Sequence, residues 1–159
     1  MMNMNFGSAV LVGFAATLVL TTVSSTGRSL GLTRMDIPYI LGTFYTDNRN
    51  KAGWLGFFMH LVNGWVFALL YIALMEQFHL KHWWAGMLMG LFQAGFLLTL
   101  VVQLMPRIHP RMASEERGPE VTRQLEPPGA FALNYGRQTP IVVLVTHLIY
   151  GGMLGMFYT

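Results

Sequence analysis

The chain has 159 residues, of which 53% are hydrophobic and only 11% charged, whereas a soluble domain carries roughly 25% charged residues. This places it in the membrane class. A formal charge of +3 does not mark a nucleic-acid binder, because the ten Lys and Arg lie in polar connections between apolar runs. With no cysteine, disulfides, thiol nucleophiles, iron–sulfur clusters and cysteine-ligated zinc are excluded within the chain.

The first apolar run, residues 6–27, holds no charged side chain and would extend about 33 Å as a helix, enough to cross the hydrocarbon core. The preceding MMNMN lacks the basic start of a secretory signal, and TVSSTGR is a poor cleavage site, so a retained helix is expected. Residues 28–51 are too polar to span. Their MDIPYILGTFY stretch forms an apolar patch around Pro38 that predicts an interfacial element or partial re-entrant turn. The Asp47-Asn48-Arg49-Asn50 stretch predicts a solvated turn. Further spans are expected at 52–75, 83–105 and 140–158, within a single membrane domain covering 1–159. Residues 106–139 contain prolines at 106, 110, 119, 127 and 128, so no regular helix is expected throughout. Glu115, Glu116, Glu120 and Glu126 beside Arg117 and Arg123 read as a solvated surface stretch of mixed charge. Thr139 before Pro140 reads as a helix cap followed by proline in the first turn.

Orientation follows from the basic residues. Arg28, Arg34, Arg49 and Lys51 occupy the first connection and Arg107, Arg111, Arg117, Arg123 and Arg137 the third, against Lys81 alone in the second. The expected fold is thus all-α, a four-transmembrane-helix bundle with two cytoplasmic connecting segments and both termini on the non-cytoplasmic side. His79, Lys81, His82, Trp83 and Trp84 would form the opposite rim.

Small residues recur every four positions in the second span (Gly56, Gly64, Ala68) and the fourth (Gly151, Gly155), a spacing that lets helices approach closely. The same stripes carry His60 and His147, each about 12 Å in from a helix start by rise per residue. Imidazoles at matched depth can cross-bond helices, relay protons or ligate a haem, and Asn63 shares much of the face of His60. His60, His147 and Asn63 are therefore the candidate cofactor-binding residues, with haem or quinone as the groups considered. Thr99, Gln103 and Gln93 are candidate neighbours from the third span. No acidic residue, and so no HExxH or ExxH pattern, falls within the expected spans, which weakens a zinc or di-iron reading. Arg107, His109 and Arg111, just beyond the third span, are candidates for lipid or partner contact. No catalytic residue is nominated: the GxSxG match at residues 27–31 follows a long apolar run and not a strand, so Ser29 lacks the context of a nucleophile elbow, and a phosphate-binding loop, a dinucleotide fingerprint and a kinase signature are missing.

The segments DIPYILGTFYTD, HLVNGWVFALLY, IHPRMASEERGP and LEPPGAFALNYGRQTP give the chain a layout that resembles small bacterial inner-membrane proteins with four helices. That resemblance implies a location but transfers no activity. The expected function is a nonenzymatic accessory or assembly component in contact with membrane lipids and a membrane-protein partner or further copies of itself. A small redox, proton or ion transport protein using His60 and His147 is the alternative, and a lipid-modifying enzyme the third reading.

Overall fold

In the computed structural model, residues 5–114, 118–123 and 125–158 are described; residues 1–4, 115–117, 124 and 159 lie outside them, and with them the charges of Glu115, Glu116 and Arg117. A long apolar segment can bond all its backbone groups internally only as a helix, and the described residues form helices, turns and isolated bridges without a strand. In chain order these are α1 (Phe6–Ser29), α2 (Ile37–Thr43), α3 (Arg49–Gln77), α4 (Trp83–Phe96), a π-helical turn (Leu97–Val101), α5 (Val102–Ile108), a 3-10 turn (Ala130–Tyr135) and α6 (Thr139–Phe157). Among the described residues four helices are long and apolar enough to cross a membrane: α1, α3, the Trp83–Ile108 run and α6, with 24, 29, 26 and 19 residues. Even α6 extends about 28 Å, close to the hydrocarbon thickness. The Trp83–Ile108 run is not uniform. It widens into the π-helical turn and carries Pro106 near its end, where proline's missing amide releases the carbonyl four residues earlier.

The chain divides into two compact units: Met1–Thr26 with Leu61–Ala94 and Val143–Thr159, and Gly27–His60 with Gly95–Val142. In the first, Ala16, Leu20, Ala68, Tyr71, Met75, Tyr150 and Leu154 form the core. Close backbone approach makes this packing possible. A Cβ on Gly86 would overlap the carbonyl oxygen of Gly151, and one on Gly151 that of Gly86, so the small residues of the expected stripes do lie at helix contacts. Buried hydroxyls find acceptors: Tyr150 Oη donates to the Gly64 carbonyl and Tyr71 Oη to Gln93 Oε1, both at 2.6 Å. Tyr158 Oη donates to Glu76 Oε1 at 2.8 Å and accepts from the Asn5 amide at 3.0 Å. The same Glu76 oxygen lies 2.8 Å from Lys81 Nζ, and this contact raises the Lys81 pKa.

In the second unit, α1 stops at a Schellman motif. The Leu32 amide bonds to the Gly27 carbonyl and the Gly31 amide to that of Arg28, with Gly31 at φ 73°, a backbone setting that glycine adopts without a Cβ clash. α2 then begins at Asp36, whose Oδ1 accepts from the Tyr39 amide at 3.1 Å, with Pro38 in its first turn. Arg28 Nη1 holds the other carboxylate oxygen at 2.5 Å. α2 lies directly on the start of α3: a Cβ on Gly42 would overlap the Ala52 carbonyl, and one on Gly56 the Pro38 carbonyl. The apolar patch around Pro38 is thus a short packed helix.

Candidate functional site

The densest polar structure in the second unit surrounds α2, and it is built by the long connection that follows α5. A helix ends with carbonyls that lack intrahelical donors, and at the end of α2 these are met by His109 and Arg111. His109 is 3% exposed. Its Nδ1 accepts the Arg111 amide at 3.1 Å, so the ring proton sits on Nε2 and is donated to the Ile40 carbonyl at 3.0 Å. Phe44 packs edge-on to the ring with centroids 4.1 Å apart. Arg111 Nη1 donates to the Thr43 carbonyl at 2.6 Å and the Phe44 carbonyl at 3.2 Å. Burial holds the His109 pKa below its ordinary value; the nearby Arg111 charge acts in the same direction, and the bond to Ile40 opposes both.

The residues ahead of α2 are held from the other end of the same connection. The Arg34 amide donates to the Tyr135 carbonyl at 2.7 Å, while its guanidinium donates to the Asn134 carbonyl and pairs with Glu126 at 3.0 Å. Tyr135 Oη donates to the Glu126 carbonyl at 2.6 Å, and burial with the Glu126 charge pushes its pKa up to about 12, against the opposing Arg34 charge. Thr33 Oγ1 and Thr139 Oγ1 meet at 2.7 Å, both buried. Thr139, expected to cap α6, is instead the first residue of the helix, with its hydroxyl directed to Thr33.

The 3-10 turn completes this clasp at a conformational cost. Phe131 and Ala132 have φ of 52° and 61°, a region that costs a non-glycine residue about 1–3 kcal/mol. Ala132 and Tyr135 are thereby buried while Phe131 and Leu133 remain 50% and 45% exposed. The π-helical turn and α5 pack against this element.

The six candidate residues separate by environment. His109 and Arg111 come together in the clasp, while Arg107 is exposed. His60 is half-buried and belongs to the second unit. His147, also half-buried, and the exposed Asn63 belong to the first. His147 Nδ1 lies 2.8 Å from the Val143 carbonyl, which fixes the proton on Nδ1 and leaves Nε2 as an acceptor. Gln93 is engaged by Tyr71, and Thr99 Oγ1 donates to the Gly95 carbonyl of its own helix at 2.7 Å. Among the described residues no group of three or more His, Asp or Glu could hold a metal ion.

Arg34, Thr33, Glu126 and Tyr135 are absent from the sequence-derived candidates. Their partners lie more than 90 residues away or on backbone carbonyls, and no spacing in the sequence relates them. Comparison with protein-family models, with curated proteins and with solved structures finds no match.

Proposed function

We propose that the chain is a nonenzymatic accessory or assembly component of a bacterial inner membrane, working by association within the bilayer. Asn63 is the observation that carries this reading. It stands fourteen residues from each end of α3 (63 − 49 and 77 − 63), about 21 Å along the axis from either. Val62, Val66 and Leu70 beside it are 52%, 59% and 51% exposed, and the Asn63 side chain forms no hydrogen bond with the described residues. An amide at the middle of a lipid-facing span gains about 1–2 kcal/mol from a partner across a helix interface. Helix association answers that need.

The basic connections support placing residues 28–51 and 106–139 in the cytoplasm and both termini outside it. Membrane pull-down and blue native electrophoresis test the function: the wild-type chain should migrate with a second membrane protein or as a homo-oligomer, and Asn63→Leu should weaken that assembly while leaving the protomer folded. A wild-type chain that remains a single protomer in its native membrane would sink the proposal.

A second reading rests on His147. Its tautomer presents Nε2 as it would face a haem iron or a quinone hydroxyl. A haem spectrum or extractable quinone that His147→Leu abolishes would favour this redox reading over the accessory one.

A further inference from the structure

Ion pairing in the second unit leaves a residue of positive charge. Arg28 pairs with Asp36, Arg34 with Glu126 and Arg123 with Glu120, while Arg111 is taken up by the carbonyls of α2. Among the described residues of this unit, that leaves Arg49, Lys51, Arg107 and Arg137 without an ionic partner, against Asp47 alone. All four cations are exposed. Lys81, in the other unit, is paired with Glu76.

Their placement is as informative as their number. Arg49 and Lys51 stand in the first turn of α3, Arg107 in the last turn of α5 and Arg137 two residues before α6. No acidic residue lies in the first turn of α3 or α6. A cation at a helix start also opposes the helix dipole, so intrahelical electrostatics do not explain Arg49, Lys51 and Arg137, whereas the dipole favours Arg107 at the end of α5. Exposed apolar side chains accompany them: Trp54 at 70%, Ile108 at 63% and Phe131 at 50%. Guanidinium and ammonium groups at span ends, with aromatic and aliphatic neighbours, match the boundary where acyl chains meet phosphate headgroups.

We infer that Arg49, Lys51, Arg107 and Arg137 form a collar that selects anionic phospholipid headgroups around the polar end of the spans. The charges are spread over three separate span ends, which suits several independent phosphodiesters better than one acidic protein face. Arg107, at the collar, and Arg111, inside the clasp, therefore have different roles despite being four residues apart.

The test uses the full chain in nanodiscs of equal phosphatidylcholine and phosphatidylglycerol, with retained lipid counted by native mass spectrometry. Each basic side chain near an anionic surface contributes about a fivefold preference, so the wild type should retain phosphatidylglycerol on the order of tenfold or more over phosphatidylcholine. Arg49→Gln, Lys51→Gln, Arg107→Gln and Arg137→Gln combined should bring the ratio close to one. Lys81→Gln should leave it unchanged. If the combined variant fails to fold, Arg107→Gln and Arg137→Gln alone decide, each expected to lower the ratio by up to about fivefold. Equal retention by the wild type, or an undiminished preference in the variants, overturns the collar. So does a preference abolished by soluble glycerol phosphate, which would assign the cations to a free phosphate.

Discussion

His109 is neutral in the clasp, because Nδ1 must stay unprotonated to accept the Arg111 amide. Burial lowers its pKa from the ordinary 6.5, so the unfolded chain binds the proton more readily than the folded one. Stability from this residue is therefore full above about pH 6.5 and falls as the pH drops toward the lower folded value. Melting temperature in detergent should decline over that range in the wild type. His109→Gln, which keeps a donor and an acceptor, should flatten the decline; an unchanged slope would show that another group titrates. His109→Leu keeps the bulk but strands the Ile40 carbonyl and the Arg111 amide, each at a cost of about 1–3 kcal/mol if left buried. It should lower the denaturation midpoint at every pH. The sequence marks His109 as notable yet directs it outward, because juxtamembrane position says nothing about which carbonyls a ring will meet.

Helix contacts obey a different rule, since what matters there is the absence of atoms. Gly151→Leu would drive a side chain into the backbone at Gly86, and forced overpacking costs about 1–3 kcal/mol or more; detergent melting should drop accordingly. Gly56→Ala tests α2 in the same way, because the added methyl meets the Pro38 carbonyl and must displace the short helix from α3. Protease sensitivity around residues 37–43 should rise, and wild-type resistance would show that α2 has room to shift. These contacts were partly legible: four-residue spacing of Gly56, Gly64, Ala68, Gly151 and Gly155 singled out the packing faces of α3 and α6. Which face each glycine opposes was not, for Gly86 and Gly151 are 65 positions apart (151 − 86) and no periodicity relates them. The π-helical turn and the left-handed Phe131–Ala132 pair also lack a sequence signal, since Leu, Thr, Phe and Ala all favour ordinary conformations and only tertiary packing imposes these.

For the whole molecule, hydrophobic length was the most readable property, because four long apolar runs have few ways to satisfy their backbones other than as spanning helices. Sidedness depends on charge and is open to direct measurement. His82→Cys and Glu120→Cys, introduced singly into this cysteine-free chain, should react with an impermeant maleimide from opposite faces of the membrane; labelling of both from the same face would overturn the proposed topology. The clasp around α2 has a further bearing on how the protein is made. Thr43 meets His109 across 66 positions and Thr33 meets Thr139 across 106. At about 5–20 residues per second of synthesis, Thr33 waits on the order of 5–20 s for its partner, a delay in which the chain must insert two more spans. During that interval the ribosome-bound protein holds α2 without its grip, so a nascent chain stalled before residue 109 should expose this segment to the insertion machinery and to proteases, and its release should bury it.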